Sequence, residues 1–284
     1  MSYTVSLELT PHPTDIQTLR AGLRAYNRAQ APELLHLWEM TCAVVAHADD
    51  GTILGGAVAE DDWGWLYVDT LWVDANQRGQ DYGTRIMTLV EQTAYTAGFV
   101  GIFLMTADFQ ALGFYQKLGY RILGQCPNRP AGHMTYYLVK QPLIAAPIDF
   151  RLHLQIPPNP AALWTLDSAL RQSSPVPIVN EHFAVFLRDS DSNIVGGLVG
   201  GVFWDWLDLR WFWLADAVRG KGYGAQILAM AEAECQRRGV YGIIADTASF
   251  QSLPFYQKHG FDILFTLHDR PPGYESYFIR KLLR

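Results

Sequence analysis

Apolar and polar residues alternate along the chain in blocks that predict a regular series of strands and helices. Tyr3–Leu9 alternates as a strand does, and Pro13–Asn27 puts Ile16, Leu19 and Leu23 on one face of a helix. Glu39–His47 ends in a β-branched apolar run and predicts a strand, followed by the turn residues Asp49-Asp50-Gly51. Thr52–Glu60 and Trp65–Val73 predict a hairpin around Asp61–Gly64. A glycine-bearing loop from Asp74 to Asp81 opens a helix over Tyr82–Ala97, which Gly98 stops. Gly101–Thr106 is a short buried strand and Phe109–Leu118 a helix closed by Gly119. Tyr120–Gln125 and Met134–Val139 are the closing strands.

The same order then recurs. Strand Arg151–Gln155, helix Pro160–Arg171, strand His182–Arg188 and turn Asp189–Asn193 lead to a hairpin near Trp204–Asp208. The loop Arg219–Gly224 opens a helix to Arg238. Strand Gly242–Asp246, helix Phe250–His259 and two strands complete the copy. The residues repeat as well as the pattern. Ile53-Leu54-Gly55-Gly56 returns as Ile194-Val195-Gly196-Gly197, Tyr82-Gly83 as Tyr223-Gly224, and Phe114-Tyr115-Gln116-Lys117 as Phe255-Tyr256-Gln257-Lys258. The offset is 141 residues (194 − 53), the size of a small domain. Residues 1–141 and 149–284 are therefore expected to be two tandem domains, with a linker at about 142–148. The fold class is α/β (α+β), each domain a mixed, mostly antiparallel sheet with flanking helices and one parallel strand pair.

Of the 284 residues, 49% are hydrophobic and 18% charged, as in an ordinary globular protein. The net charge of −6 and the lack of basic runs argue against a nucleic-acid partner. No apolar stretch reaches the ~20 residues of a membrane span, and the N-terminus does not read as a signal peptide. Cys42, Cys126 and Cys235 are odd in number and far apart, which points to a reducing cytoplasm. No histidine or cysteine spacing suits a metal.

Two blocks carry the chemistry. The first is Arg219-Gly220-Lys221-Gly222-Tyr223-Gly224, between a strand and a helix. Its bare amides and the helix N-terminus suit a pyrophosphate, with Arg219 and Lys221 adding charge. The alternative is a tight turn that needs glycine only for positive φ. A dinucleotide site is the obvious decoy: Gly220, Gly222 and Ala225 fit the spacing, and Asp246 stands where a ribose acid would. The first half has Gly79, Asp81, Thr84 and Met105 at those places, which argues against it. The second block runs from Thr106 to Tyr120 and again from Thr247 to Phe261, and contains F-Y-Q-K twice.

A glycine loop about 25–30 residues before F-Y-x-K-x-G-F/Y, present twice, resembles the GNAT superfamily of acetyl-CoA-dependent N-acetyltransferases, in its bacterial tandem-domain form. The tails Arg129-Pro130-Ala131-Gly132-His133 and Arg270-Pro271-Pro272-Gly273 look like a bacterial branch of it. The resemblance implies acetyl-CoA as cofactor and direct attack of an amine on its thioester. It implies that the strand ends Leu71, Trp72, Val73 and Phe212, Trp213, Leu214 hold the pantetheine arm. The pyrophosphate would lie on Arg219–Ala225 or on Arg78, Gly79, Gln80, Asp81, Tyr82, Gly83 and Thr84, with Asp108 and Ser249 counted among the cofactor contacts. Tyr256 or Tyr115 would protonate the leaving thiolate, as a phenol that keeps its proton near neutral pH. Each is otherwise a core aromatic.

The halves differ. Asp81 stands at the place of Gly222 and Gln80 at that of Lys221, so the first loop repels where the second attracts. By the resemblance, the position of a base on the fourth strand is Tyr67 in one half and Asp208 in the other. Asp208 is the candidate; a solvated carboxylate is the alternative, and Asp69 with Glu60-Asp61-Asp62 are the first-half candidates. The hairpin tryptophans Trp63, Trp65, Trp72, Trp204, Trp206, Trp211 and Trp213 suggest core or interface packing before a substrate groove. The acids and tryptophans together suggest a small primary amine as acceptor. The two domains are expected to pack as an intramolecular pseudo-dimer, with further oligomerisation left open. The competing expectation is an acyl-CoA sensor or structural protein with inactive domains.

Overall fold

The computed structural model describes residues 3–32, 40–145, 152–178 and 181–283. Glu39, Arg151 and linker residues 146–148 lie outside them. Among the described residues, fourteen strands form two seven-stranded sheets. In the first half these are β1 (Thr4–Glu8), β2 (Thr41–His47), β3 (Ile53–Asp62), β4 (Trp65–Val73), β5 (Ile102–Ala107), β6 (Arg121–Pro127) and β7 (Met134–Lys140). In the second they are β8 (Leu152–Gln155), β9 (Glu181–Arg188), β10 (Ile194–Phe203), β11 (Trp206–Leu214), β12 (Gly242–Ala248), β13 (Asp262–His268) and β14 (Glu275–Leu282). The helices are α1 (Pro13–Gln30), α2 (Tyr82–Ala97), α3 (Leu112–Lys117), α4 (Pro160–Ser173), α5 (Tyr223–Arg237) and α6 (Leu253–Lys258).

Local chemistry sets the helix ends. Pro13 and Pro160 open α1 and α4, with His12 and Asn159 capping the amides of Thr14 and Ala161. Gly98 ends α2 in the left-handed region at φ 79°. Helices α3 and α6 begin three residues later than the apolar pattern suggests. The side chains of Gln110 and Gln251 accept hydrogen bonds from the amides of Ala107 and Ala248, at 2.7 and 2.8 Å, and hold a turn where the first helical turn would be.

The sheets do not follow the two halves of the sequence. Their orders are β6-β7-β5-β4-β3-β2-β8 and β1-β9-β10-β11-β12-β14-β13. Strand β1 pairs antiparallel with β9, Thr4 opposite Arg188 and Glu8 opposite Ala184. Strand β8 pairs in the same way with β2. The helices follow their strands: α1 lies on β10 and β11, and α4 on β3 and β4. Arg188 pins the exchange, its Nη2 lying 2.9 Å from Glu8 and 2.8 Å from Asp15. Hydrophobic period specifies which face of β1 is buried but not which sheet edge it joins, so a linear division at 141–149 leaves this exchange out.

Helices α2 and α5 cover the opposite faces, over cores that include Ile86, Met87 and Val90 in one sheet and Ile227, Leu228 and Ala231 in the other. A third core joins both halves: Trp65, Phe103, Cys126 and Tyr137 meet Trp206, Ile244, Phe265 and Phe278. Gly124 permits the close approach, since a Cβ there would collide with the Phe265 ring. The indoles of Trp65 and Trp206 cross in opposite senses, donating to the carbonyls of Asp269 (2.9 Å) and Asn128 (2.7 Å). Among the described residues, no helix is long and apolar enough to cross a membrane.

Candidate active site

The site begins where two parallel strands part. Strand β11 pairs with β12 only at Trp206–Gly242, Leu207–Ile243 and Asp208–Ile244, although both strands continue. The equivalent pairs in the first sheet are Leu66–Ile102, Tyr67–Phe103 and Val68–Leu104. Just beyond lies a bulge in each: Arg210 is the extra residue of β11 against β10, and Asp69 the extra residue of β4 against β3. A bulge bends its strand and shifts its side-chain alternation. Leu207 and Leu209 face the α5 core before it, and Phe212 and Leu214 after it. The backbone edge of Phe212–Leu214 towards β12 is thereby left unpaired, as is that of Leu71–Val73 towards β5. Trp211 and Trp213 turn to the other face and pack with Leu19 and Ile16 of α1, while Trp72 packs under α4 with Leu166. These indoles and those of Trp65 and Trp206 serve packing, as the sequence favoured.

Beyond the strand end, Gly220 and Gly222 hold φ of 71° and 84°, and a Cβ at either would meet nothing within 4 Å. The first amides of α5 face this open cradle without intrahelical acceptors. Glycines in left-handed backbone beside a helix N-terminus fit a pyrophosphate. Lys221 is exposed beside it. Arg219 is used structurally: its Nε donates to the Leu214 carbonyl (2.9 Å), it pairs with Asp216 (2.8 Å), and its guanidinium lies 4.3 Å from the ring centre of Tyr26. Gly224 serves packing, because a Cβ there would press on Phe255 at 3.3 Å. Tyr223 meets the ring of Tyr3, and Ala225 lies in the first turn of α5.

The first-half loop has the same shape with different chemistry. Asp81 caps α2 at φ 62° with no side-chain cap bond, and it is exposed at the position that Gly222 holds in the second loop. Gln80 is turned back to the Asn76 carbonyl, and Arg78 reaches the Val73 carbonyl at 3.2 Å. Gly79 is left-handed and open, and Gly83 makes room for Phe114. Tyr82 lies under Arg85, and Thr84 accepts from Thr88.

Tyr256 is buried against Phe212, Phe255 and Phe261 beneath the strand end. Burial, with Asp246 nearby, pushes its hydroxyl well above the usual tyrosine range. Burial does the same to Tyr115. Both hold their protons throughout the physiological range, as a proton donor must. Asp108 and Ser249 brace the closing hairpins. Asp108 binds His133 Nδ1 (2.8 Å) and the Met134 amide (2.9 Å), and Ser249 meets the Glu275 backbone.

Asp208 is held by Arg129 of the other half, 2.6 Å away, in a position 29% exposed. Burial pushes its carboxyl above the usual carboxylate range, an effect that the charges of Arg129 and Arg210 only partly offset. A carboxylate so occupied is poorly placed to take an acceptor proton. Its sequence counterpart Tyr67 is enclosed by the same group, with Asp69, Arg129, Asp208 and Tyr137 as its charged and phenolic neighbours.

Two features escaped the sequence. Helix α1 forms one wall of a cleft of about 310 Å³, where Gly22, Ala25 and Tyr26 face Trp213, Ala215 and Arg219. Gly22 lets the helix lie on Trp213, since a Cβ would come within 2.6 Å of that ring. Asn27 accepts from Gln251 at 2.8 Å. The second feature is a buried network: Arg270 joins Asp62 of the first half to Asp246 of the second. The paired Arg-Pro tails were visible as a motif, but not their reach.

The description that matches this chain is the Acetyltransferase (GNAT) family, over residues 11–120 and 155–261. The chain is 40% identical over 121 residues to blasticidin-S acetyltransferase of Streptomyces morookaense, covering 42% of this chain and 88% of that protein. It is 32% identical over 97 residues to an acetyltransferase of Agrobacterium fabrum, covering 34% of this chain and 71% of that one. A solved acetyltransferase from Bacillus cereus matches at 25% identity and a TM-score of 0.40, over 43% of this chain and 90% of that chain. Two matched segments that together span most of the sequence settle the assignment: this chain is an acetyltransferase of the GNAT family with two tandem domains, and acetyl-CoA is its cofactor.

Proposed function

We propose that the second-half centre acetylates a small primary amine by direct attack on the thioester, and that the first-half centre binds acetyl-CoA weakly. The observation that carries this is the pairing of an open glycine cradle with a buried, protonated Tyr256 at the end of the same splayed strand. Acetyl-CoA, when bound, supplies an acetyl group activated as a thioester.

The chain's residues do the rest. The α5 amides and Lys221 hold the pyrophosphate, and the backbone of Phe212–Leu214 aligns the arm. The amine, having lost one proton to water, would form the C–N bond as the C–S bond breaks, and the new amide nitrogen would release its surplus proton to solvent. Tyr256 gives its proton to the departing sulfur and regains one from solvent. In the first half, Asp81 opposes the pyrophosphate where Gly222 admits it.

The relative named for blasticidin S makes that compound the first acceptor to try, beside polyamines, aminoglycosides and amino-acid derivatives. The shared core around Trp65 and Trp206 supports a pseudo-dimer, in which two halves stand in for the two subunits of a homodimer. The three buried free thiols suit a reducing cytoplasm.

The test is thiol release with that amine panel, run beside calorimetric titration with acetyl-CoA. Turnover with at least one amine supports the proposal. Binding of acetyl-CoA without turnover across the panel favours an acyl-CoA sensor instead.

A further inference from the structure

The two Arg-Pro tails place two arginines in buried positions, Arg129 at 2% and Arg270 at 3% exposure. Each reaches a carboxylate of the opposite half, and their surroundings then differ. Arg129 binds Asp208 through Nη2 and the Tyr137 hydroxyl through Nη1, both at 2.6 Å. Arg270 stacks over Phe278 and binds Asp62 through Nε and Nη2 at 2.6–3.1 Å. Its remaining Nη1 lies 2.9 Å from Asp246 Oδ2. Arg129 with Asp208 is one charge against one. Arg270 carries two carboxylates on one guanidinium, which leaves the group with a formal charge of −1.

Asp246 is where that charge meets solvent, at 40% exposure. It stands two residues past Ile244, the last residue of β12 paired with β11. It therefore shares the face of Ile244 at the mouth of the splayed strands, near enough to Tyr256 for its charge to act on that hydroxyl. The first half has Met105 at this position and Tyr67 at that of Asp208, so only the second centre has carboxylates there.

We infer that Asp246 is the acceptor-ammonium contact of the second-half centre, and that Asp62 of the first half is its positioning residue, acting through Arg270. This rests on the amine-acetylation reading above. Two of the guanidinium's nitrogens are fixed by Asp62, so the third can point only at Asp246. One oxygen of Asp246 is thereby oriented, and the excess negative charge is directed to an incoming cation.

The test uses the full chain with blasticidin S and spermidine as probes, by calorimetry without donor and by steady-state kinetics. Asp246→Asn is expected to weaken amine binding and raise the acceptor KM by about 10-fold or more, the scale of one charge-assisted hydrogen bond. Affinity for acetyl-CoA should not change. Asp62→Asn should reproduce part of the effect, and the double variant should be no worse than Asp246→Asn alone, because the two act in series. Asp62→Glu should restore part of the loss.

Asp62→Asn that lowers Tm but leaves acceptor KM and amine binding unchanged makes the network structural only and overturns the inference. Effects of the two variants that add in full do the same. A wild-type chain that binds these amines without acetylating them refutes the transfer reading, yet its calorimetry still reads the network. A wild-type chain that binds neither amine refutes both.

Discussion

Exchanging the residue at one position between the two glycine loops should exchange their affinities for the cofactor. Gly222 and Asp81 cap equivalent helices in the same left-handed backbone, at φ 84° and 62°. A Cβ on Gly222 meets nothing within 4 Å, so Gly222→Asp introduces no clash. Its conformational cost is about 1 kcal/mol of stability, and Asp is among the residues that tolerate this region. What remains is electrostatic. A carboxylate at about 6 Å from each of two phosphate charges, at an effective dielectric of about 40–80, costs about 1.4–2.8 kcal/mol. That is about 10–100-fold in Kd.

Calorimetric titration with coenzyme A should show one tight site in the native chain. Gly222→Asp should abolish that site or weaken it by this factor, Asp81→Gly should add a second, and salt should narrow the difference. Two equal sites in the native chain would refute the argument, as would an unchanged Kd in Gly222→Asp with its Tm preserved.

Tyr256→Phe should lower kcat by about 10²–10⁴ with donor affinity unchanged, whereas Tyr115→Phe should not. Its surrounding rings remain packed, so an equal loss in Tm would instead make Tyr256 a core residue. Glu234 is drawn down to about 2 from 4.5 by hydrogen bonds from Arg237, then Arg238, against the opposing effect of burial. The stability it contributes is present above pH 4.5 and lost as pH falls through 2. Glu234→Gln should thus flatten thermal stability across that window, and parallel curves for the two proteins would contradict it. Burial pushes Asp61 up to about 6 from 3.8, against the Gly64 amide, so its contribution is present below pH 3.8 and lost as pH rises through 6. Asp61→Asn keeps an acceptor for that amide and should stabilise by about 1 kcal/mol at pH 8, after allowance for solvent screening, with no gain at pH 3.5 in thermal melts.

What could be read from the residues was local and periodic. The hairpins and the glycine loops lie where the pattern put them, and the F-Y-Q-K segments are helical although their helices start three residues late, because each depends on neighbours within a few residues. The glycine at 222 and the aspartate at 81 announced their difference without any coordinates. The partners of β1 and β8 were not legible, because alternation buries a face and says nothing about which edge receives it. The same blindness hid Asp62 and Asp246. In the sequence, Asp62 is one acid in a run of three and Asp246 resembles a ribose ligand. Only the fold brings them to the same guanidinium. Asp208 was a candidate base or a solvated carboxylate by its strand position, and the arginine that pairs with it lies 79 residues away in the chain, beyond the reach of any local pattern.

The exchange changes what an inactive first half would mean. If the halves were independent domains, a first centre disabled by Asp81 would be dispensable to the second. Here the second sheet has β1 on its edge, with Val5 and Leu7 packed into the α5 core. Its cleft has α1 as a wall, and Leu19 of that helix is fully buried beneath it. Arg129 holds Asp208, and Asp62 holds Arg270. Each of these first-half residues touches the second centre without depending on cofactor in the first. Loss of binding at Asp81 therefore leaves every one of them in place, whereas removing residues 4–30 strips a strand, a helix and the clamp at Arg188 together. The first half can surrender its chemistry and still be required, because what it gives the second centre is walls and charges.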